Sequence, residues 1–151
     1  MRKLQQGFTL IELVVVITIL GILAAFAIPR FASLDSNARA SAIAGLAGSM
    51  RSASALAHSM YLAAGNSPSS VTMEGTVVAL TNGYPTGAAA GITSALQDVS
   101  SFAATYAAGP PTAATFQNNS SAPTPASCQA VYTASTAANT APVITLVTTG
   151  C

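Results

Sequence analysis

The sequence has little charge: five of its 151 residues are Lys or Arg and four are Asp or Glu, which gives a net charge of +1. Charged residues make up 6% of the chain, against about 25% in a typical soluble domain. So few charges provide no general electrostatic field for nucleic acid. They also exclude a disordered polyampholyte and a long charged coiled coil.

Groups suited to catalysis are also scarce. The single histidine, His58, has no second histidine and no nearby Cys, Asp or Glu, so we expect it at a helix surface or edge and predict no metal site. Glu74 and Asp98 are isolated and offer no paired carboxylates for acid–base chemistry. Neither a G-x-S-x-G motif nor a glycine-rich phosphate loop occurs. We therefore predict no enzyme activity and no cofactor.

One long apolar run, Phe8–Ile28, is present near the N-terminus. As a helix it would measure about 31 Å, which is about the thickness of a bilayer's hydrocarbon core. Arg2 and Lys3 precede it and are expected to stay in the cytoplasm, so the remainder of the chain would be exported. A single-pass anchor explains this pattern. A cleaved signal peptide does so too, because Ala25–Ala27 forms an A-x-A site.

Glu12 lies inside this apolar run. A carboxylate near the centre of a membrane helix costs about 2.5 to 3.5 kcal/mol, and less toward the helix end. Neither a plain anchor nor a cleaved signal peptide gains from that cost. An intramembrane acid instead indicates a functional partner, and no basic side chain lies in the same apolar layer. A free α-amino group would serve if the chain were cut close to Glu12.

The segment Gly7–Val16 resembles the prepilin motif of type IV pilins and the related pseudopilins, with a short basic leader that ends in glycine. The resemblance implies that prepilin peptidase removes residues 1–7 by cleavage between Gly7 and Phe8 on the cytoplasmic side, and methylates the new Phe8 amine. In a staggered filament, the Phe8 ammonium of one chain could then lie beside Glu12 of its neighbour. Because an unpaired buried charge costs several kcal/mol, this pairing would favour the correct register.

The resemblance also implies an α+β pilin fold and a division of the chain. Residues 8–29 would form the transmembrane and filament-core helix, residues 30–64 its amphipathic second half, and residues 65–151 a globular β domain. Gly21 and Pro29 both weaken a helix. They could produce only a mild kink, but the family resemblance implies that the segment between them can lose helicity inside a filament.

Helical periodicity resumes after Pro29 and ends at Gly65–Pro68, which predicts one helix of about 55 residues. Its apolar stripe must be buried against another element, most simply a sheet. The stripe consists of Phe31, Leu34, Ala38, Ala42, Ile43, Leu46, Met50, Ala53, Ala57 and Met60.

Short β-prone runs separated by turn signals follow the helix and predict an antiparallel sheet of about four strands packed on it. We expect Asn118–Pro125 to be an exposed loop. The β-prone runs are Val71–Leu80, Val99–Tyr106, Thr115–Gln117, Cys128–Thr133 and Val143–Thr148.

Cys128 and Cys151 are the two cysteines. Export would place them in an oxidising compartment, so we predict a disulfide, which would contribute about 3 kcal/mol by closing its loop. A reactive pair or a metal site does not fit their spacing. If they face each other across a hairpin, Tyr132 falls opposite Val147 and the turn lies near Asn139–Thr140.

Four further segments resemble the mannose-sensitive haemagglutinin subclass of type IVa pilins. They are Asn82–Thr86, Ala90–Ile92, Cys128–Tyr132 and Thr148–Cys151. Together with the N-terminal motif, these matches are scattered over most of the chain.

The resemblance implies a structural subunit of a surface type IV pilus, a homopolymer whose adhesion or motility belongs to the whole filament. Its precursor would wait in the bacterial inner membrane for the pilus assembly machinery and would then become part of an extracellular pilus. Direct binding of nucleic acid is not expected, because only Arg30, Arg39 and Arg51 are basic after the leader.

Two alternatives share parts of the pattern. A pseudopilin of a type II secretion system has the same N-terminal motif, but such proteins typically carry acidic calcium ligands near the C-terminus instead of a disulfide. No acidic residue follows Asp98 here. The other alternative is a monomeric, membrane-anchored binding domain.

Overall fold

One long helix, α1 (Leu10–Ala63), dominates the computed structural model, which describes residues 8–118, 122–138 and 140–151. The chain divides into two units, Met1–Ser36 and Asn37–Cys151. The helix contains 54 residues, which confirms the predicted length. The helix ends at Ala63. Gly65, just beyond this end, has a φ of 83°, a conformation that glycine adopts without strain, and the Asn66 N–H donates to the Tyr61 carbonyl at 3.2 Å.

In the N-terminal unit the apolar side chains of α1 are exposed. Phe26, for example, is 77% exposed. Among the described residues this is the one helix that is long and apolar enough to cross a membrane, judged by length and composition. The helix continues through Gly21 and Pro29. The structure thus has no break at these two residues, and loss of helicity within a filament stays a prediction.

The C-terminal unit contains two antiparallel sheets. The first has three strands in the order β1–β2–β3, and a short helical turn at Ala89–Thr93 follows it. The second has four strands in the order β4–β5–β6–β7, which confirms the predicted α+β class and four-stranded sheet. The strands are β1 (Ser70–Met73), β2 (Thr76–Thr81), β3 (Tyr84–Pro85), β4 (Phe102–Ala107), β5 (Ala113–Asn118), β6 (Gln129–Thr133) and β7 (Val143–Val147).

The three-stranded sheet was not predicted. The run Val71–Leu80, expected as one β-prone segment, is a hairpin in which Met73 pairs with Thr76. Glu74 and Gly75 form its two-residue turn, with φ values of 49° and 82°. A glutamate is an unusual residue for such a turn, so the usual sequence signal was missing.

Two hydrophobic clusters form the core of the C-terminal unit. The larger joins α1 to the four-stranded sheet around Ile43, Met50, Phe116 and Tyr132, all of which are fully buried. The smaller packs Ala57 of the helix against strands β1 and β2. The helix therefore packs against strands of both sheets.

The predicted apolar stripe of α1 is correct only in part. Among helix residues of described burial, the fully buried ones begin at Ile43. Phe31 and Leu34 are 69% and 62% exposed, and Ala38 and Ala42 are also exposed. Periodicity predicts which residues share a helix face, but the extent of the elements packed on that face decides where burial starts.

The C-terminal hairpin has a different register from the predicted one, because Tyr132 pairs with Ile144. The chain leaves strand β7 after Val147 and turns, with the Cys151 N–H donating to the Thr148 carbonyl at 3.2 Å. Cys151 therefore does not lie on the strand. The predicted register assumed that Cys128 and Cys151 face each other across the hairpin, so it is wrong. The connection between the two strands spans residues 134–142 and includes the predicted turn near Asn139–Thr140, with the Thr140 N–H donating to the Ala137 carbonyl at 3.2 Å. Asn139 itself lies outside the described residues.

The segment Asn118–Pro125 was expected to be an exposed loop. Ala122 is instead 8% exposed and belongs to the larger hydrophobic cluster. Pro123, Thr124 and Pro125 are exposed as expected, and residues 119–121 lie outside the described residues. A small apolar side chain can enter a core from an irregular segment, and composition alone did not indicate this.

Candidate assembly site

The first turn of α1 is closed by a pair of reciprocal hydrogen bonds. The Glu12 N–H donates to Thr9 Oγ1 at 3.3 Å, and the Thr9 N–H donates to Glu12 Oε2 at 2.9 Å. The Thr9 hydroxyl also donates to Glu12 Oε2, at 2.6 Å. This is a capping box, the Thr-x-x-Glu arrangement that satisfies backbone N–H groups at a helix start. The Thr-x-x-Glu spacing of Thr9 and Glu12 is visible in the sequence, and it is the signal from which this cap could have been predicted.

The Glu12 carboxylate lies in a shallow surface groove of ≈ 360 Å³. Apolar side chains supply the rest of its lining: Phe8, Ile11, Val15 and Val16. Hydrogen bonds from described residues all reach Oε2 of Glu12. Within the described residues, Oε1 of Glu12 accepts no hydrogen bond. A single carboxylate among apolar side chains is suited to pairing with one ammonium group.

The predicted processing residues lie at this end of the helix. Phe8 precedes the cap and is 83% exposed. Gly7, on the other side of the predicted cleavage point, lies outside the described residues. Cleavage there would leave Thr9 and Glu12 in the chain, so it would retain both residues of the capping box.

The C-terminal disulfide joins Cys128 to Cys151, with 4.7 Å between their Cα atoms. The residues before Cys151 are held as well, because the Gly150 N–H donates to the Ser127 carbonyl at 2.9 Å. Arg39 of α1 donates from Nε to the Cys151 carbonyl oxygen. The disulfide and these bonds attach the last residues to the short helical turn Pro125–Ser127 and to the long helix.

His58 is a half-buried residue packed at the edge of α1. Its Nδ1 lies 3.0 Å from the Gly83 carbonyl oxygen, and its ring stacks on Tyr84 with centroids 4.1 Å apart. Within residues 8–118, 122–138 and 140–151, no three His, Cys, Asp or Glu side chains are close enough together to hold a metal ion. These contacts indicate that the His58 ring packs against Gly83 and Tyr84.

These features define a class of protein in which a capped, exposed apolar helix carries one carboxylate near its start and leads into a helix-and-sheet unit. The N-terminal helix suits a lipid bilayer or a bundle of other apolar helices. Residues 2–28 match the family described as "Prokaryotic N-terminal methylation motif".

Curated relatives match about a third of the chain. The type IV major fimbrial protein FimA of Dichelobacter nodosus is 47% identical over 53 residues, which cover 35% of this chain and 34% of FimA. The type IV narrow pilus major component PilA5 of Thermus thermophilus is 50% identical over 52 residues, which cover 34% of this chain and 45% of PilA5. The matched part thus spans about a third of FimA and less than half of PilA5.

No solved structure matches the chain significantly. The methylation motif, the pilus relatives and the arrangement of one long helix with an antiparallel sheet together support a type IV pilin.

Proposed function

We propose that this chain is the structural subunit of a surface type IV pilus. The main support for this proposal is the match of residues 2–28 to the N-terminal methylation motif. The matched segment includes Glu12, which lies in an apolar groove at the start of the helix. In this proposal, prepilin peptidase cleaves between Gly7 and Phe8 and methylates the Phe8 amine. The processed subunits polymerise through their N-terminal helices.

Glu12 has two roles in this proposal. Within its own chain, Oε2 closes the helix cap with Thr9. Between chains, the carboxylate pairs with the Phe8 ammonium of a neighbour. Each of these charges costs several kcal/mol if it is buried alone, so the pair favours the register that brings them together.

The precursor waits in the inner membrane with its apolar helix in the bilayer and its C-terminal unit outside the cytoplasm. The pilus assembly machinery then transfers it to the filament, where apolar helices replace lipid around Phe8–Ile28. Residues 8–29 would serve as the filament core, residues 30–64 as the support of the sheet, and residues 65–151 as the outer part. Adhesion or motility, and the mannose-sensitive haemagglutinin subclass, remain predictions for the filament.

A type II secretion pseudopilin is the second candidate, because it shares the N-terminal motif. The Cys128–Cys151 disulfide and the lack of acidic residues after Asp98 favour the pilus. A monomeric anchored domain would leave the methylation motif without a use.

The first experiment determines the N-terminus of the protein by mass spectrometry. N-methyl-Phe8 is expected, whereas an intact Met1 would indicate a plain anchor and a start at Ile28 would indicate a conventional secreted protein. Electron microscopy of sheared surface material should then show filaments that contain this chain. If the chain is processed but found only in a periplasmic assembly, it is a pseudopilin.

Glu12→Gln separates the two roles of this residue. Glutamine also completes a capping box, so the helix and membrane insertion should be retained. We expect the number of filaments to fall by about ten-fold or more, because the neighbour's ammonium would be buried without a counter-charge. The measurement is filament yield by shearing, normalised to the membrane content of the protein.

Thr9→Ala is the matched control, because it removes the cap and keeps the carboxylate. Its filament yield should stay closer to that of the parent. A normal yield from Glu12→Gln would contradict the charge pairing, and a larger loss from Thr9→Ala would indicate that the cap is the more important role.

A further inference from the structure

The C-terminal unit has few charges, so their positions dominate its electrostatics. Its four charged side chains are Arg39, Arg51, Glu74 and Asp98. Arg39 donates to the Cys151 carbonyl oxygen. Arg51, Glu74 and Asp98 are exposed.

Among the grooves beside helix α1 in the described part of this unit, two differ in charge. The first, called here the Arg51 groove, has a volume of ≈ 400 Å³. One cation, Arg51, lines it together with polar groups and apolar side chains. The polar residues are Ser54, His58, Ser59 and Tyr84, and the apolar ones are Ala55, Leu62, Ala141, Pro142 and Ile144.

The second, called here the Glu74 groove, also has a volume of ≈ 400 Å³ and is lined by Ser52, Glu74 and Gln97 among others. Successive helix residues point about 100° apart, which separates Arg51 from Ser52. The positive and negative charges of the unit therefore lie beside different faces of one helix.

Glu74 occupies a backbone position that does not suit it. With Gly75 it forms the turn of the β1–β2 hairpin, and both have a positive φ, of 49° and 82°. Such turns favour asparagine followed by glycine. The next hairpin follows this rule with Asn82–Gly83, at 55° and 83°. A strained residue on an exposed turn suggests a use for its side chain other than folding.

The carboxylate of Glu74 is also held in place. Gln97 donates from Nε2 to Glu74 Oε2 at 3.0 Å. This bond joins the hairpin turn to the segment after the helical turn Ala89–Thr93, and it orients an acidic group at the tip of a hairpin.

We propose that the Glu74 hairpin tip of one copy of this chain docks into the Arg51 groove of the next copy. The inference rests on the proposed pilus function, which supplies many copies side by side. The occupant is a second copy because the two surfaces are complementary in charge, and the rest of the unit carries little charge to repel it. Because the two surfaces are different, the contact is head-to-tail and can repeat from copy to copy, as the proposed filament requires.

Glu74→Asn is the sharpest test, because it removes the charge and inserts the residue that the turn favours. We expect subunits that are at least as stable as the parent, but filaments that are reduced about two- to five-fold in yield, the range of an exposed ion pair. Arg51→Gln should have a similar effect. The filaments should also dissociate at lower salt than those of the parent.

A charge swap tests the pairing itself. Arg51→Glu and Glu74→Lys should each reduce the yield, and the double variant should recover at least half of the parent yield. Asp98→Asn is the matched control, because it removes an exposed acid that is close to Gln97 but is not on the hairpin tip, and it should leave the yield unchanged. All variants are made in the full chain, and thermal unfolding of the subunits checks their folding.

Normal yield and salt resistance in both Glu74→Asn and Arg51→Gln would overturn the contact. A double variant no better than the single ones would overturn it too, as would an equal loss in Asp98→Asn. Absence of filaments from the parent chain, or normal filaments from Glu12→Gln, would instead count against the proposed function and its assembly site.

Discussion

At the scale of single residues, Tyr132 shows how one side chain links strand, core and loop. It is fully buried in strand β6, and its hydroxyl donates to the Pro85 carbonyl oxygen at 2.8 Å. Burial, with a smaller contribution from Tyr84, raises the pKa of Tyr132 well above its ordinary value of 10.0. The folded state therefore keeps this hydroxyl protonated at a pH where the unfolded chain loses the proton.

The raised pKa of Tyr132 predicts a loss of stability in alkali. Its contribution is fully present below about pH 10 and decreases as the pH rises further, because only the unfolded state releases the proton. The limiting slope is about 1.4 kcal/mol per pH unit. Denaturant unfolding between pH 8 and 11 should show a smaller slope for Tyr132→Phe.

Tyr132→Phe should also lower the stability at pH 8 by about 1 kcal/mol, because the Pro85 carbonyl loses its donor. The unfolding transition of Tyr132→Phe at pH 8 also shows that the variant is folded. The same alkaline slope in both proteins would contradict the assignment to Tyr132.

Glu12 and Glu74 are the two acidic residues on which the proposals depend. Glu12 takes part in a capping box that stabilises the helix start. Glu74, in contrast, stands where its backbone conformation is unfavourable. The cost at Glu74 lies in its backbone conformation, whereas the cost at Glu12 lies in placing a carboxylate among apolar groups. For Glu12 the Gln variant is needed as well, to separate its cap from its charge.

At the scale of elements, the C-terminal segment after strand β7 depends on a covalent bond and a few hydrogen bonds. Val143 and Val147 of the strand are exposed, and the Cys128–Cys151 disulfide joins the residue after Gly150 to the start of strand β6. A Cβ at Gly150 would lie 2.7 Å from the Thr124 carbonyl oxygen, so the turn requires glycine there. The disulfide is therefore a main support of this segment.

Removing the disulfide should reduce the free energy of unfolding by about 3 kcal/mol, because the unfolded chain regains the entropy of an open loop. The variant is the double change of Cys128→Ser and Cys151→Ser, which leaves no unpaired thiol. Urea unfolding measures the loss, and the parent treated with a reductant should behave in the same way. Unchanged stability would show that the hydrogen bonds of Gly150 and Cys151 suffice.

At the scale of the whole molecule, the two units differ in how much of their apolar side chains is exposed to solvent. The N-terminal part of α1 exposes a continuous run of Leu, Ile, Val and Phe side chains. The C-terminal unit buries residues such as Ile43, Phe116 and Tyr132 in two clusters and exposes others, such as Val77 and Val143, singly. Apolar area in water costs about 25 cal/mol per Å². The exposed helix therefore requires lipid, detergent or other helices around it.

Deletion of residues 8–28 should move the protein from the detergent phase to the aqueous phase in detergent partitioning. The reason is that this segment supplies nearly all of the contiguous exposed apolar surface of the helix. Deletion of residues 65–69, which lie outside the apolar segment, is the control, and this variant should stay in the detergent phase as the parent does. If the protein without residues 8–28 still partitioned into the detergent phase, the membrane affinity would not come from this helix.

The sequence by itself determined the long helix, its apolar first half, the methylation motif and the pair of cysteines. These features are local, since they follow from the length of an apolar run, from turn residues and from a short motif at the helix start. The α+β class also followed, because β-prone runs came after one long helical period.

Only the tertiary structure decided which residues oppose each other. The register of Tyr132 with Ile144, the burial of Ala122 and the start of the buried helix face at Ile43 depend on pairing between distant segments. The separation of Arg51 from Glu74 by the long helix depends on it too. Contacts between distant segments are set by the packing of whole elements, so they cannot be predicted from a local sequence pattern.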